Sequence, residues 1–353
     1  MKRILVTGSG GSASFNFIDS LRIAPEKFYI VGVDVKPYHA ELAPVDKRYL
    51  IPPASDPDFI PTLNRIIEKE KVEFVHAQPD VEVMVLSKNR DKIKAKVFLP
   101  EHSILETFAN KMKYNRLLKK NRVSAPESYH ITSKETLKVA LDKLLKKHEK
   151  VWIRAIRGAG SKASLPVKKL SLAKEWIEYW IDTRALKYED FMASEFLPGR
   201  EFAFQSLWNK GKLLTSQARE RIEYIFGHLT PSGQTSSPSV AKTVNRDDVN
   251  ETATRAVKAV APEATGVFCV DMKEDKNGRV CVIEVNAGRF YTTSNFFSRA
   301  GLNMPHLLVK MAYGEKLPKL AKYNALPENL HWVRMIDSGF KLVKNGEWTS
   351  EEI

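Results

Sequence analysis

Hydrophobic and polar positions in the first third of the chain follow two alternating patterns. Short apolar runs, typical of buried strands, lie at residues 4–6, 29–33, 72–76 and 97–99. Between the first two runs, apolar residues recur at helical spacing over residues 14–22. Asp56 followed by Pro57 predicts the start of a second amphipathic helix. Strands that alternate with helices indicate a parallel sheet, so we expect an α/β domain here.

The pattern changes in the second third of the chain. A basic helix is predicted over residues 108–120, and Thr132 with Glu135 forms a capping box before another helix. Residues 151–155 predict a strand that runs into a loop of small residues and returns at residues 165–167. This stretch therefore combines helices with a hairpin.

Strands dominate the next part of the chain. They are predicted at residues 192–197, 201–208, 212–218, 266–273 and 279–286. One helix is predicted over residues 247–260. The segment 223–241 is rich in Ser, Thr, Gly and Pro and has neither period, which is typical of a functional lid.

The charge balance bears on the class of partner. The chain has 56 Lys and Arg against 42 Asp and Glu, a formal net charge of +14. Such an excess is found in nucleic-acid-binding proteins. Here it is spread out, with its densest part at residues 134–174, and no zinc-finger or basic-zipper pattern occurs. Because a site for phosphorylated substrates also favours positive charge, we expect no nucleic-acid partner.

Neither a membrane span nor a secretion signal is expected. No run of about 18 apolar residues occurs, and the apolar stretch near Met1 is too short for a signal peptide. The two cysteines, Cys269 and Cys281, have a spacing that fits no zinc or redox motif. We expect a cytoplasmic protein in which both pack as small hydrophobic residues.

A glycine-rich loop follows the first predicted strand. Residues 8–13 fit the pattern G-x-G-x-x-G/A, and Asp34 ends the next strand. In dinucleotide-binding folds such a loop holds a pyrophosphate, and an acidic residue about 20 positions on binds a ribose. This interpretation predicts an NAD(P)-dependent oxidoreductase. The alternative is a tight turn that only glycine can form.

The most informative segment is a predicted hairpin in the last third of the chain. Asn277-Gly278 between two apolar runs predicts a two-residue turn. Counting outward from this turn places Asp271 opposite Glu284, with Asn286 on the same face. Two facing carboxylates destabilise a sheet unless something offsets their repulsion, and Mg²⁺ is the natural candidate. The alternatives are a solvated pair or a salt bridge to Arg or Lys.

A second loop of small residues follows the strand at 151–155. It contains Gly158, Gly160 and Ser161, and Arg154 lies near the end of the strand. Small residues let backbone N–H groups approach a polyphosphate closely. The Walker A pattern is absent, and a flexible hairpin is the alternative interpretation.

Together, in their order and over most of the chain, these segments resemble the ATP-grasp superfamily, and in particular one unit of the carbamoyl phosphate synthase large subunit. The resemblance implies a Rossmann-like (pre-ATP-grasp) α/β domain followed by an α+β ATP-grasp fold of two subdomains. The implied segments are the Rossmann-like domain at 1–106, a lid subdomain at 107–190, a C-terminal subdomain with the metal hairpin at 191–320 and a tail at 321–353.

By the same resemblance, a nucleotide is bound by phosphate-binding cations, a closing glycine loop and a hinge strand. The phosphate-binding cations are Lys111 and Arg154, and the loop contains Gly158, Gly160 and Ser161. The hinge strand binds the adenine through Glu195, Phe196 and Leu197, and Glu201 binds the ribose.

The resemblance also implies metal-binding and catalytic positions. Asp271, Glu284 and Asn286 match the metal ligands, and Arg289 would contact the transferred phosphoryl group or the substrate carboxylate. The motif reads Asn-Ala-Gly-Arg, one residue longer than the family's Asn-Pro-Arg, which leaves the place of Arg289 open. Further substrate-binding candidates are Arg219 and Arg221.

The implied activity is an ATP-dependent carboxylate–amine ligase that forms an acyl phosphate and releases ADP and phosphate. The expected cofactors are ATP and Mg²⁺, with Mn²⁺ as a substitute. The expected partners are a small carboxylate and an amine acceptor, with no nucleic acid and no membrane, and base rates favour a homodimer. A carboxylate or carbamate kinase that stops at the phosphorylated product would share every motif, and the NAD(P) oxidoreductase stays as the second alternative.

Overall fold

The first sheet of the protein has five parallel strands. In this computed structural model, which describes residues 1–158, 163–235, 237–334 and 350–352, they are β1 (Lys2–Thr7), β2 (Phe28–Asp34), β3 (Lys47–Leu50), β4 (Phe74–His76) and β5 (Lys96–Val97). Their spatial order is β3-β2-β1-β4-β5. The helices of this part are α1 (Ser12–Arg22), α2 (Pro37–Ala40), α3 (Phe59–Glu70), α4 (Asp80–Lys88) and α5 (His102–Ala109). The predicted α/β domain is confirmed.

The central strand β1 has a continuous apolar run at Ile4, Leu5 and Val6 because both of its faces are covered there. Leu5 packs into one hydrophobic core, and Ile4 and Val6 pack into another on the opposite face. All three side chains are fully buried. Parallel strands covered on both faces have continuous apolar sequences rather than alternating ones.

The second sheet is antiparallel and has the strand order β6-β9-β7-β8. Its strands are β6 (Ser128–Ile131), β7 (Val151–Ala155), β8 (Leu165–Val167) and β9 (Phe191–Glu195). The helices of this part are α6 (Lys111–Lys120), α7 (Lys134–Leu145) and α8 (Leu170–Arg184). Because β9 pairs with β6 and β7, it belongs to this sheet, although the sequence pattern grouped it with the later strands.

The third sheet has six strands in the order β14-β13-β10-β11-β12-β15. They are β10 (Glu201–Asn209), β11 (Lys212–Tyr224), β12 (Pro238–Val244), β13 (Gly266–Glu274), β14 (Val280–Ala287) and β15 (His331–Val333). The remaining helices are α9 (Asp247–Val260), α10 (Asn295–Arg299) and α11 (Met304–Ala312). The structure thus confirms the predicted combination of an α/β part with α+β parts.

Two helix starts differ from their predictions. The helix predicted from Asp56 begins at Phe59, and the Asp56 carboxylate instead accepts the N–H of Asp58 in the preceding turn. The capping box before α7 uses Ser133 and Thr136, one residue later than predicted. Both errors are local, because no side chain caps α3, and at α7 Ser133 forms the cap in place of the neighbouring Thr132.

The basic helix predicted over residues 108–120 is two helices, α5 and α6. They are separated at Asn110, whose side chain accepts the N–H of Lys113 at 2.9 Å and caps α6. This break lets Lys111 stand in the first turn of a new helix, which directs it toward the second sheet.

The segment 223–241 is more regular than predicted. β11 continues to Tyr224, and β12 begins at Pro238 and pairs with it.

Both cysteines are free and buried, as predicted. Among the described helices, none is long and apolar enough to cross a membrane.

Phe268 is a central part of the third sheet's core, and its removal is expected to destabilise the protein. The side chain is fully buried, and its ring meets those of Phe108 and Trp208 edge-on at 6.0 and 6.4 Å. Phe268→Ala should lower the free energy of unfolding by about 3–5 kcal/mol in urea titrations, because a cavity remains. The matched Phe226→Ala, at a ring that is 56% exposed, should change it by less than about 0.5 kcal/mol.

Candidate functional site

The hairpin of β13 and β14 has a turn that differs from the prediction. The Asp275 N–H donates to the Arg279 carbonyl at 3.0 Å, so three residues and not two form the turn. Gly278 closes it with a φ of 79°, in the left-handed region that favours glycine. The Asp275 carboxylate accepts the N–H groups of Asn277 and Arg279 and fixes this longer turn.

A bulge further along the hairpin restores the predicted pairing. The register shifts by one residue between Asp271 and Met272, which leaves Ile283 as the extra residue of β14. The Ile283 carbonyl accepts the hydroxyl of the buried Tyr114 from α6. As a result Asp271 faces Glu284, and this pairing is confirmed.

A cavity of about 430 Å³ lies where the three sheets meet. Elements from every part of the fold contribute to its wall. The predicted residues that line it are Lys111, Arg154, Glu195, Phe196, Leu197, Glu201, Arg221, Asp271, Glu284, Asn286 and Arg289. Residues more than 170 positions apart in sequence therefore meet at one site, as the resemblance implied.

Glu284 is held ionised by two cations. An Arg154 N–H donates to its carboxylate at 2.9 Å, and the Lys111 ammonium lies 3.4 Å from the same oxygen. Burial alone would raise the pKa of Glu284, but Lys111 and Arg154 outweigh that effect and hold the pKa at about 2. Lys111 also donates to the Gly158 carbonyl at 2.7 Å, and burial lowers its own pKa.

Asp271 has different surroundings from those of Glu284. An Arg221 N–H donates to it at 2.5 Å, and the Asn286 side-chain N–H donates to its other oxygen at 3.1 Å. Burial raises the pKa of Asp271, and the nearby Glu284 carboxylate adds to the rise, while Arg221 opposes it. The Asn286 oxygen accepts from Arg289 at 2.6 Å. The facing carboxylates are thus compensated by a set of guanidinium and amide donors.

The oxygen atoms of the facing carboxylates and of Asn286 suit a hard divalent cation. Asp271, Glu284 and Asn286 offer only oxygen atoms, and all three lie on the wall of one cavity. Mg²⁺ prefers oxygen ligands and takes few of them from the protein. Among the described residues, no cluster of three or more His, Cys, Asp or Glu side chains is arranged to hold a metal.

The carboxylate of Glu201, predicted to bind a ribose, already accepts hydrogen bonds from other side chains of the protein. It accepts from Arg221 at 3.0 Å, from Gln234 at 2.7 Å and from the hydroxyl of Tyr224. Lys273 lies 3.8 Å from it. A ribose at this carboxylate would have to exchange with one of these partners.

Arg219, which was predicted to bind substrate, does not line the cavity. It is fully buried, donates to the Thr293 carbonyl at 3.2 Å and lies against the ring of Tyr291. Burial lowers its pKa to about 10. Its place is behind the cavity wall, where it supports Tyr291.

The predicted glycine-loop residues do not line this cavity as described. Gly158 lies outside it, and Gly160 and Ser161 lie outside the described residues.

The cavity wall also contains residues that were not predicted individually as site residues. They include Gln78, Tyr114, Gln234 and Tyr291, of which Gln234 lies in the segment predicted as a functional lid. Tyr114 could have been found, because it stands three positions after Lys111 and so shares a helix face with it. Gln234 and Tyr291 lie outside helices and strands, where no period marks the inward side.

Part of the N-terminal glycine loop is covered by the backbone of a neighbouring helix, so a ligand has no access to this face. A Cβ at Gly10 would lie 2.0 Å from the His39 carbonyl oxygen, so the backbone of α2 covers this face. The Gly10 N–H donates to Asp34 at 3.1 Å, and that carboxylate is buried. The acidic residue expected to bind a ribose is thus used inside the loop. This geometry favours the tight-turn interpretation over dinucleotide binding.

Glu82 lies beneath this loop and is expected to make stability depend on pH. Burial raises its pKa to about 7, and Asp34 adds to the rise. Because the folded-state pKa is above the unfolded value, stability is lost as the pH rises from about 4.5 to 7. Glu82→Gln should remove this dependence, which amounts to about 3 kcal/mol in the free energy of unfolding. Urea titrations of both proteins at pH 5 and 8 measure it, and equal pH profiles would contradict it.

Comparisons with known proteins agree with this geometry. The family model described as an ATP-grasp domain matches residues 108–293, and the model described as a PylC-like N-terminal domain matches residues 4–98. A search of curated proteins finds no significant match.

Several solved structures share the fold. A carboxyaminoimidazole ribonucleotide synthase from Aspergillus clavatus, complexed with ATP, has a TM-score of 0.68 at 15% identity, covering 94% of this chain and 80% of that one. The Campylobacter jejuni biotin carboxylase has 0.71 at 15%, covering 94% and 74%. An L-amino acid ligase from Bacillus licheniformis has 0.65 at 16%, covering 88% and 74%. At these identities the likeness concerns the fold.

Proposed function

Since this chain belongs to the ATP-grasp domain family, we propose that it is an ATP-dependent ligase that joins a small carboxylate to an amine. One observation carries the proposal. The facing carboxylates of Asp271 and Glu284 lie in one cavity with several cationic side chains, among them Arg154 and Lys111. A protein that only bound a nucleoside would need neither the carboxylate pair nor so many cations around it.

In this proposal Asp271, Glu284 and Asn286 hold Mg²⁺. When bound, the ion would neutralise charge on the β- and γ-phosphates of ATP. The donor chemistry of the three residues supports this assignment, since all of them offer oxygen. MgADP is present in the structure of the biotin carboxylase domain of a Hydrogenobacter thermophilus 2-oxoglutarate carboxylase, which shares the fold.

The nucleotide is proposed to lie between the second and third sheets. Lys111 and Arg154 would exchange their contacts with Glu284 for contacts with the phosphates. Glu195, with the backbone of Phe196 and Leu197, would face the adenine at the end of β9. Glu201 would bind the ribose.

The proposed reaction has two steps. A substrate carboxylate oxygen attacks the γ-phosphorus, an O–P bond forms, and ADP leaves. The amine nitrogen then attacks the acyl carbon, phosphate leaves, and the amine releases its proton. Arg289 would stabilise the transferred phosphoryl group, and Arg221 would orient the substrate. Positioning and electrostatics supply most of the catalysis in such phosphoryl transfers.

Oxygen-18 transfer tests the acyl phosphate directly. If the carboxylate of the substrate is labelled, one labelled oxygen should appear in the released phosphate. Phosphate without label would contradict an acyl phosphate. Omitting the amine separates a ligase from the kinase alternative, because only a kinase would turn over repeatedly to the acyl phosphate in its absence.

Nucleotide choice separates the ligase from the oxidoreductase alternative. Fluorescence titration should show binding of Mg·ATP and no saturable binding of NADH. The closed glycine loop at Gly10 is the reason for the second expectation. Tight NADH binding would favour the oxidoreductase and contradict the proposal.

A further inference from the structure

We propose that Gln78 is a substrate-binding residue whose side-chain N–H groups donate to an oxygen of the carboxylate substrate. The inference rests on the proposed function and adds to it a residue and the substrate atom that this residue recognises. Gln78 follows β4 of the first sheet and lies in the wall of the cavity. Its side chain comes from the N-terminal part of the chain and meets the loop after β14.

Two contacts fix the orientation of the Gln78 amide. Its oxygen accepts the N–H of Phe290 at 2.9 Å and lies 3.0 Å from Nε2 of His76. Because a backbone N–H can only donate, the oxygen and not the nitrogen of Gln78 must face Phe290. The amide therefore cannot flip without losing a buried hydrogen bond.

His76 acts here as a positioning residue. Its ring is buried and stacks on Phe17, with the centroids 3.8 Å apart and the planes at 13°. Burial lowers the pKa of His76 to about 4, so the ring is neutral near pH 7. Since the Gln78 oxygen can only accept, Nε2 of His76 must carry the proton of the neutral ring.

The nitrogen of Gln78 is left for a ligand. Among the described residues, Nε2 has no hydrogen-bond partner, although the residue is only 3% exposed. Buried amide nitrogens nearly always have a partner, so a fixed one without a partner at a cavity wall indicates a ligand-binding role.

The surroundings of Gln78 favour an anionic oxygen as that ligand. Phe290, which anchors the amide, directly follows Arg289, whose guanidinium lines the same cavity and pairs with Asp80. A guanidinium and a neutral N–H donor at one wall suit a carboxylate, which can accept from both. An ammonium group would find no acceptor on Gln78, because its oxygen is already used twice.

The substitution Gln78→Glu separates substrate binding from packing. A carboxylate keeps an acceptor for Phe290 and His76, but it offers no N–H and adds a negative charge. A merely structural role therefore predicts normal ligand binding in this variant. Gln205→Glu is the matched control, because Gln205 is equally buried and lies outside the cavity wall.

The experiment measures the binding of acetate, glycine and glutamate by NMR to protein loaded with Mg·ADP. The side-chain ¹⁵N–¹H signal of Gln78 is identified by its loss in Gln78→Glu. At least one probe should shift this signal, and Gln78→Glu should weaken that probe's binding about tenfold or more. The Kd of Gln78→Glu for Mg·ADP should stay within about twofold of the wild-type value. The Kd values of Gln205→Glu for Mg·ADP and for the probes should do the same.

Two results would overturn the inference. One is a Gln78 signal that none of the three probes moves, and the other is equal probe binding by the wild type and Gln78→Glu. The signal is read in the wild-type protein, so the first result holds even if the variant folds poorly. If Mg·ADP does not bind at all, the proposed function fails, and the same titrations without nucleotide still report on Gln78.

Discussion

Glu284→Gln is expected to lower the rate of ATP turnover by at least about 10³-fold, the largest effect of any single substitution at the site. The amide removes one of the two carboxylates proposed for Mg²⁺ and leaves Arg154 and Lys111 without their anionic partner. Nucleotide binding in the presence of EDTA should persist, because both cations then remain available for the phosphates. Phosphate release and calorimetry with ATP measure the two quantities separately.

Glu220→Gln is the matched control for this substitution. Glu220 lies on the same sheet, pairs with Arg200 on the surface side and does not line the cavity. Its variant should turn over ATP at a rate within about twofold of the wild-type rate. Wild-type turnover by Glu284→Gln would refute the metal assignment, and loss of activity in both variants would point to a general effect of charge removal.

Arg289→Lys is expected to lower kcat about 100-fold with a smaller change in KM for ATP. The guanidinium donates to both oxygens of Asp80 and to Asn286, so it joins the N-terminal part of the chain to the hairpin proposed to hold the metal. Lysine keeps the charge but cannot make these planar, divergent contacts. Steady-state kinetics of phosphate release, with ATP and the carboxylate varied in turn, measure the effect.

A second bidentate arginine provides the control for Arg289. Arg299 donates to both oxygens of Asp19 at 2.9 Å, is half exposed and lies away from the cavity. Arg299→Lys should leave kcat within about twofold. If Arg289→Lys retained more than half of the wild-type kcat, the proposal that Arg289 stabilises the transferred phosphoryl group would be contradicted.

The facing carboxylates show how far sequence reasoning reaches. The pairing of Asp271 with Glu284 was predicted, but two features of the hairpin that cancel each other produce it. The turn has one more residue than predicted because the Asp275 side chain holds it. The bulge at Ile283 then shifts the register back.

The cause of the bulge could not be read from the hairpin's own sequence. The Ile283 carbonyl accepts from Tyr114, and the Val282 N–H donates to the Ser124 carbonyl at 2.9 Å. Both partners lie more than 150 positions earlier in the chain. Contacts of this range depend on the packing of α6 against the third sheet, which a local pattern does not encode.

Arg219 shows a different limit, because the local pattern does not tell which of two residues on one face of a strand reaches the cavity. Arg219 and Arg221 stand two positions apart on β11, so they share a face of the sheet, and both were predicted to bind substrate. Their guanidinium groups lie 5.0 and 5.3 Å from the centre of the Tyr291 ring. Arg221 lines the cavity and Arg219 does not, because the irregular loop after β14 covers Arg219.

The alternation of strands and helices, the hinge strand and the hairpin were readable because each has a strong local period or turn signal. The helix start at Phe59 was not readable, since no side chain caps that helix, and neither was the break at Asn110, where the side chain caps a new helix. Gln78 and Tyr291 were not predicted individually, because they lie outside helices and strands and only the fold brings them to the cavity.

Phosphate release from Mg·ATP against a panel of amino acids and small carboxylates, with mass spectrometry of the products, distinguishes a ligase from a kinase. For a ligase, ADP and phosphate form only when both substrates are present, and the mass of the product equals acid plus amine minus water. ATP that binds but is not turned over with any acid and amine of the panel would contradict the ligase. Phosphorylated acid as the final product would identify the kinase instead.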